Sequence, residues 1–484
     1  MAEAELERRD IQGIVLSGYG HLHCASYVLL RVADATSARG WLGRLTGDIT
    51  TAEVKQEGAS VNIAFTERGL ARLGLHADTL STFSRAFREG MATEHRSRIL
   101  GDADENAPAN WDWGGTDDNA PDILLMLFGY DETALNELIG RQRAGFAAGG
   151  IVELRALGAG RQPDSREHFG FADGMGQPAI EGSPQAAKAL PRNLIKPGEV
   201  LFSYQNDYGK PADGPLVAPA LDPERLLPDA PPFDETQAAT TADAATTALL
   251  RDLGRNGTYL VFRQLAQHVS DFWLFLDEAT RRPDGQEDRA AAVRMASKFV
   301  GRWPNGAPLV KSPDADDPAL SNDDDFGYYE RDPHGFKCPI GSHIRRSNPR
   351  DSLGPDPQTA LSSANRHRLL RRGRSYGHRP LNPRVDDGDP RGLHFICLNS
   401  DIERQFEFVQ LTWINNPVFG GLSGEVDPII GHLDKGDAMM TVPADPLRTR
   451  VHNLKRFVTV RGGAYFFLPG IKALRYLASL RDKR

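Results

Sequence analysis

Cysteine is scarce in this sequence. Of 484 residues only three are cysteines, and Cys24, Cys338 and Cys397 are far apart in the chain. This spacing excludes a disulfide framework, a Cys-x-x-Cys pair for zinc and a Cys-x-x-Cys-His segment for covalent cofactor attachment. So few thiols are typical of proteins from a reducing compartment.

Long apolar segments and an excess of positive charge are also missing. The first ten residues contain no apolar core of the kind that signal peptides have. No apolar run approaches the roughly 18 residues that a membrane-spanning helix requires. The net charge of −8 argues against nucleic acid as the main partner. We therefore expect a soluble, cytoplasmic protein with neither a membrane nor a nucleic-acid partner.

The sequence lacks a glycine-rich nucleotide loop after its first strand, which disfavours a Rossmann fold. Short apolar or alternating segments predict strands at Ile11–Ser17, Tyr27–Val32, Val61–Phe65, Ile123–Phe128, Ile151–Arg155, Thr258–Arg263, Leu393–Leu398 and Tyr465–Leu468. Apolar residues three or four positions apart predict helices at Ser37–Leu45, Thr66–Leu73, Thr133–Phe146, Val269–Leu276, Ala290–Val300 and Ile402–Leu411. This mixed order indicates an antiparallel α+β fold.

The same rhythm of strands and helices occurs on both sides of a stretch rich in proline, aspartate and alanine. We predict an N-terminal domain at 1–185 and a C-terminal domain at 251–484. Residues 186–250 are expected to form an irregular connection that ends in a helix leading into Leu253.

The segment 334–351 is centred on His343. Gly341 before it and Pro349 after it leave room for a short helix only. A neutral imidazole is a good ligand for a transition metal, and nearby cations could pair with anionic groups of a ligand. These cations are Arg345, Arg346 and Arg350. From these residues alone, a surface helix with an unliganded histidine is the simpler interpretation.

Two further segments allow a structural and a functional interpretation. Asp173-Gly174 is a frequent turn dipeptide, so it predicts a hairpin turn with a solvated carboxylate. Alternatively, the glycines at 170, 174 and 176 let the backbone approach a flat ligand, with Asp173 facing it. The basic run 365–377 is either a solvated face or the source of one arginine in a cavity.

Leu393 and Phe395 lie on the same face of their predicted strand, because strand side chains alternate. They are either core residues or the roof of a cavity. A haem peroxidase needs an axial histidine on one side of the iron, with an acid and an arginine on the other. The carboxylate can move a proton between the two oxygens of peroxide, and the fixed cation stabilises the charge that develops.

These segments, in this order, resemble those of the dye-decolourising peroxidase family. Gly170-Phe-Ala-Asp173-Gly174 matches the family's Gly-x-x-Asp-Gly motif, which implies that Asp173 is the distal acid. The segment around His343 is similar to the proximal segment, which makes His343 the iron ligand. The run 369–377 resembles the segment with the distal arginine and implies Arg371, one position from Arg372. Leu393 and Phe395 would line the haem pocket.

The resemblance implies two ferredoxin-like domains with antiparallel β-sheets and peripheral helices. It also implies one non-covalent haem b per chain, hydrogen peroxide as oxidant and bulky aromatic dyes or phenols as reductants. Gly174, Gln177, Arg345 and Arg350 are candidate cofactor contacts. A homo-oligomer is left open.

Three positions depart from the family pattern. Met175 follows the Asp-Gly dipeptide in place of a branched apolar residue, and its thioether could be oxidised. Ser375 replaces a frequent proline. His394 should turn away from the haem, because strand side chains alternate. If His394 instead faced the haem, it would be a second proton shuttle, which the family lacks.

Other interpretations compete with the peroxidase. A haem carrier or sensor would use the same pocket, and Cys338 as axial ligand would give a thiolate-haem enzyme. A mononuclear metal hydrolase is disfavoured because the sequence has no His-Glu-x-x-His segment. Tyr376 and Trp413 are candidate electron relays, although packing is the simpler role for both.

Overall fold

The computed structural model describes residues 5–230, 250–433 and 438–481. Its strands are β1 Cys24–Val32, β2 Ala59–Phe65, β3 Ile123–Gly129, β4 Ile151–Gly160, β5 Ala179–Ile180, β6 Leu194–Ile195, β7 Leu216–Val217, β8 Arg251–Asp252, β9 Thr258–Gln267, β10 Leu370–Arg371, β11 Arg374–Tyr376, β12 Gly392–Asn399, β13 Met440–Val442, β14 Thr449–Val451 and β15 Val458–Leu468.

The α-helices are Gly13–Leu16, Ala35–Leu45, Glu67–Arg72, Ala77–Ser81, Arg85–Glu89, Glu94–Leu100, Glu132–Ala144, Val269–Ala279, Arg289–Val300, His343–Ser347, Pro357–Asn365 and Ile471–Ser479. The 3₁₀ helices are Asp104–Asn106, Pro108–Asn110, Ala186–Lys188, Pro191–Asn193, Pro197–Glu199, Pro219–Leu221, Pro318–Leu320 and Phe419–Gly421. Two π-helical segments follow one another at Glu403–Glu407 and Val409–Ile414. In the described ranges no helix is both long and apolar enough to cross a membrane.

The N-terminal half forms four antiparallel strands in the order β4-β1-β3-β2. Two amphipathic helices, Ala35–Leu45 and Glu132–Ala144, bury apolar side chains against one face of these strands. Each helix begins at an aspartate whose carboxylate accepts a backbone N–H of the first turn, Ser37 for Asp34 and Ala134 for Asp131. Such caps satisfy backbone donors that have no partner within the helix.

The C-terminal half repeats this arrangement. β9 pairs antiparallel with both β12 and β15, and β10 and β11 pair with the other edge of β12. The two halves meet where Ser375 pairs with Gly160 and where Phe467 pairs with Phe65. The strands therefore close into a ring, whose interior is filled by large side chains such as Tyr27.

Most sequence-predicted strands and helices are confirmed, and one is wrong. Ile11–Ser17 was expected to be a strand, but Gly13–Leu16 is a helical turn in which all four residues are buried. A short apolar run buried on every side has no periodicity that distinguishes strand from helix. The helix predicted at Ile402–Leu411 is present, but its hydrogen bonding is π-helical, a geometry common near functional sites.

From residue 186 to residue 230, the predicted irregular connection consists of short 3₁₀ turns and two-residue strands. The helix expected before Leu253 falls in 231–249, outside the described residues. Residues 251 and 252 themselves form β8.

Candidate haem site

A cavity of about 340 Å³ lies against the outer face of β9 and β12 in the C-terminal half. This volume falls within the roughly 300–1,000 Å³ typical of ligand pockets. Its apolar wall comes from Leu265, Val300, Ile344, Phe406, Val409, Ile414, Ile429, Ile430 and Val458. A broad apolar cavity with a few polar groups suits a flat, mostly apolar ligand.

His343 borders this cavity at the first position of the short helix His343–Ser347. The helix ends where the sequence predicted, just before Pro349, because the residue preceding a proline avoids helical geometry. Nδ1 of His343 lies 2.9 Å from Oδ2 of Asp427. With Nδ1 bound in this way, Nε2 is the nitrogen available to a ligand in the cavity.

Asp427 is completely buried, and its Oδ1 accepts the backbone N–H groups of Ile429 and Ile430 at 2.9 Å each. Burial favours the neutral acid, but His343 and these N–H groups outweigh it and lower the pKa of Asp427. Burial likewise opposes protonation of His343, yet the Asp427 carboxylate raises the pKa of the imidazole above its ordinary value. The pair fixes the orientation of the ring.

Asp173 and Arg371 lie together on another part of the cavity wall. Oδ1 of Asp173 is 3.8 Å from Nη1 of Arg371, and both side chains are partly exposed. Gly174 follows with φ of 87°, which places the acid on a left-handed turn that glycine adopts without strain. The acid and the guanidinium can therefore act on the same small ligand.

Arg371 is held by its neighbours on the Asp-Gly segment. Its Nη2 donates to the carbonyl of Met175 at 2.7 Å, and its backbone N–H donates to Oε1 of Gln177 at 3.0 Å. Arg372, in contrast, donates to the carbonyls of Ile14 and Val15. The structure thus places Arg371 in the cavity and turns Arg372 away. Gln177 and Gly174, predicted as cofactor contacts, both border the cavity.

Leu393 and Phe395 line the cavity from β12. His394 also borders it, but its ring lies on the opposite face of the strand, stacked against Tyr376 at 4.6 Å and edge-on to Tyr27. Burial lowers the pKa of His394 to about 4. The expected alternation therefore holds, and a neutral His394 faces the interior of the ring.

The two other predicted arginine contacts differ. Arg350 borders the cavity, whereas Arg345, which was also predicted as a cofactor contact, is outside the described lining. Arg345 donates to Asp332 and to the carbonyl of Cys338. The reason is helical geometry, because residues two apart point about 200° away from each other. With His343 toward the cavity, Arg345 must face away.

Cys338, the alternative axial ligand, is buried outside the described cavity lining. Its Sγ is 3.1 Å from Oγ of Ser342, and burial raises the pKa of the thiol. The position of Cys338 outside the cavity lining therefore favours His343 over this thiol as the axial ligand. Of the candidate relays, Trp413 is buried and Tyr376 is partly exposed.

The cavity residues and partners that sequence reasoning missed include Asp427, Arg368 and Glu167. Asp427 is 84 residues from His343, and no local pattern connects the two. Arg368 lies in the basic run, where spacing did not separate it from its neighbours. Glu167 precedes the Asp-Gly segment closely enough that the segment itself could have indicated it.

The donor set fits haem. An imidazole with its second nitrogen bound to a carboxylate is a common axial ligand, and the wall combines apolar side chains with several arginines. A metal that is held by a porphyrin needs no protein ligand other than His343. In the described residues no group of three or more acidic, cysteine or histidine side chains could hold a metal ion by itself.

Comparisons with known proteins agree with this geometry. No protein-family model matches the chain. The chain is 28% identical to the dye-decolourising peroxidase msp1 of Mycetinis scorodonius, over 99% of this chain and 89% of that protein. It is also 28% identical to the multifunctional dye peroxidase DyP2 of an Amycolatopsis species, over 93% of this chain and 91% of that protein.

Solved structures extend the similarity to the fold. An ancestral D-type dye-decolourising peroxidase matches with a TM-score of 0.76 and 26% identity, over 98% of this chain and 99% of its own. A dye-decolourising peroxidase in complex with 2,6-dimethoxyphenol matches with a TM-score of 0.76 and 25% identity, over 98% of this chain and all of its own. The predicted α+β fold with two ferredoxin-like domains is thereby confirmed. Over nearly its full length, the chain is thus similar to dye-decolourising peroxidases in both sequence and fold.

Proposed function

We propose that the protein is a haem peroxidase that reduces hydrogen peroxide and oxidises bulky aromatic donors such as dyes and phenols. One observation carries the proposal: His343, Asp173 and Arg371 border a single cavity. Its relatives are dye-decolourising peroxidases, and one similar structure holds a phenol. We also propose one non-covalent haem b per chain, with His343 as the axial ligand to its iron.

Bound haem supplies the electrons that reduce peroxide and later receives single electrons from the donors. The chain's own residues provide the rest. Asp427 holds the His343 ring so that Nε2 faces the cavity. The apolar wall excludes water from the face of the ligand.

Asp173 is the group that can move a proton. Its carboxylate can accept the proton from one oxygen of hydrogen peroxide and return it to the other, so that water is released. Its side chain is about half exposed, which leaves room for peroxide beside it. A second cavity of about 250 Å³ shares Asp173, Arg371 and Glu167 with the first, and we propose it as the entry route for peroxide.

Arg371 supplies a fixed positive charge at the same place. Its guanidinium is anchored by the Met175 carbonyl, so it needs little reorganisation when negative charge develops on a peroxide oxygen. Arginine keeps its charge in such a site, whereas lysine loses it more readily.

Bulky donors do not fit a cavity of this size together with haem, so we propose that they bind at the surface. Tyr376 and Trp413 are the candidate relays between that surface and the cavity. Replacing each by Phe tests this: slower dye oxidation with an unchanged rate of reaction with peroxide supports a relay. Equal dye rates leave them as packing residues.

We further propose the division into domains at 1–185 and 251–484, joined by 186–250, and a cytoplasmic location. The order of strands supports the division, since β1 to β4 form one half of the ring, and β9 to β12 together with β15 form the other. Limited proteolysis within the connection, followed by size-exclusion chromatography, tests whether the two halves remain associated.

The absorption spectrum of the purified protein tests the cofactor. A Soret band with one haem per chain is expected, and a chain that binds no haem would overturn the proposal. Steady-state oxidation of an anthraquinone dye by peroxide then separates the enzyme from a carrier. A carrier would bind haem with the same spectrum but turn over slowly.

A further inference from the structure

Three arginines and one aspartate form a cluster in the wall of the haem cavity. The members of this arginine cluster are Arg302, Arg350, Arg368 and Asp324, and all four border the cavity. Each guanidinium belongs to a residue that is at most 6% exposed. So many buried cations around one carboxylate require an explanation, because a buried charge is costly without a partner.

Two of the arginines share the carboxylate. Oδ1 of Asp324 accepts Nη2 of Arg302 at 2.8 Å and also accepts Nη2 of Arg350. Asn193 donates its side-chain N–H to Oδ2 at 2.8 Å. Together these partners and the two guanidinium groups lower the pKa of Asp324 in spite of its burial. Both carboxylate oxygens of Asp324 therefore already accept hydrogen bonds from the chain.

Arg350 has an unusual backbone conformation, and backbone carbonyls also fix its side chain. Its φ is 53°, in the left-handed region that residues other than glycine rarely adopt. Its Nη1 donates to the carbonyls of Asp324 and Phe326. Such backbone strain persists only where the surroundings hold it, and it is common at ligand sites.

Arg368 lacks a carboxylate. Its Nη2 donates to the carbonyl of Gly176 at 2.8 Å, and its two longer contacts, at 3.4 and 3.5 Å, go to Oδ1 of Asn193. Within the described residues no acidic side chain lies within 4 Å of it. Burial, with repulsion from Arg350, lowers the pKa of Arg368 to about 9 in spite of the attraction by Asp324. Arg368 is thus a buried cation whose hydrogen-bond partners among the described residues are neutral.

The cluster carries three positive charges and one negative charge, which leaves two positive charges at one end of the cavity. A ligand with two carboxylates on one edge would neutralise them. Haem b has this chemistry, since its two propionates lie on the same edge of an otherwise apolar ring.

We propose that Arg368 donates to a haem propionate and that the arginine cluster determines which edge of the haem enters the cavity first. This inference rests on the proposed function. It makes Arg368, together with Arg350 and in place of Arg345, the principal anion contact of the site. A charge-assisted hydrogen bond from a buried guanidinium is among the stronger contacts that a carboxylate can make.

The alternative is that Arg368 is structural and only holds the Gly176 loop. A ligand whose propionates are esterified distinguishes the propionate-binding role from the structural role. Haem dimethyl ester has the same ring and iron as haem, but its esterified propionates carry no charge. The dissociation constants of both ligands are measured by Soret titration of the full-length apoprotein, for wild type and variants.

Wild type is expected to prefer haem over the dimethyl ester by roughly tenfold or more. Arg368→Leu should remove most of this preference, mainly by lowering the affinity for haem. Arg368→Lys should retain part of the preference, because it keeps the charge. Arg372→Leu is the matched control, because Arg372 is also a cation bonded to backbone carbonyls but points away from the haem cavity. It should keep the full preference.

An unchanged preference in Arg368→Leu would overturn the inference. So would an equal loss in Arg372→Leu, which would indicate a general loss of charge or packing. If Arg368→Leu does not fold, Arg368→Lys and Arg368→Gln make the same comparison, with only the lysine expected to retain a preference. Failure of wild type to bind either ligand would instead overturn the proposed function.

Discussion

His343 and Asp427 lie 84 residues apart in the chain, yet Nδ1 of the imidazole and Oδ2 of the carboxylate are 2.9 Å apart. Because Asp427 is fully buried and also bound by two backbone N–H groups, it cannot turn toward solvent. The imidazole is therefore oriented by a fixed acceptor, which strengthens its donation to a metal.

Replacement of Asp427 tests this relationship. Asp427→Asn should keep the shape of the site but remove the negative charge behind the ring. We expect roughly a 10- to 100-fold loss of activity and a more positive reduction potential of the bound haem. Spectroelectrochemical titration measures the potential. A potential equal to that of wild type would show that the carboxylate does not act through His343.

Replacement of the acid and the guanidinium should slow the reaction with peroxide. We expect a decrease of roughly 10²–10⁴-fold for Asp173→Asn and of roughly 10²–10³-fold for Arg371→Leu. Stopped-flow absorption after mixing with hydrogen peroxide measures both rates. Asp164→Asn is the control, because Asp164 is paired with Arg379 outside the cavity. Variants as fast as wild type would contradict the assigned roles.

Glu167 should make the stability of the protein depend on pH. Burial raises the pKa of Glu167 to about 7, although the N–H groups of Phe169, Phe171 and Gln267 favour the carboxylate. Between its ordinary value and about 7 the folded state binds more protons than the unfolded state, so stability falls as pH rises. Glu167→Gln removes this penalty.

Thermal unfolding of wild type and Glu167→Gln from pH 4 to 8 measures this effect. The two proteins should be similar at the acidic end, and the variant should be relatively more stable at pH 8, by roughly 3 kcal/mol at most. Glu330→Gln, at an exposed position, should follow wild type throughout. A constant difference between wild type and Glu167→Gln across this range would refute the prediction.

Met175 should limit the lifetime of the working enzyme. Its side chain borders the cavity, and its Sδ can take one oxygen from hydrogen peroxide, which gives the sulfoxide and water. We expect Met175→Leu to complete more turnovers before inactivation. Peptide mass spectrometry should find oxidation at Met175 in wild type before it appears at Met126, which is fully buried. Simultaneous oxidation of both residues would indicate unfolding instead.

The sequence by itself determined most elements, and it predicted several of the residues that border the cavity. The apolar segments of β1, β3, β9 and β12 predicted strands because their pattern extends over enough residues to be recognised. Alternation on β12 assigned Leu393 and Phe395 to one face and His394 to the other, and the structure agrees. Gly341 and Pro349 bounded the helix of His343 through local backbone sterics alone.

Only the tertiary structure decided the partners of these residues. The Asp427 acceptor, the choice of Arg371 over Arg372, and the buried Arg368 depend on contacts between segments far apart in the chain. A run of arginines looks the same in sequence whichever member is buried, because burial is set by the surrounding fold. Local geometry can be read from neighbouring residues, whereas charge compensation in a cavity is a property of the assembled walls.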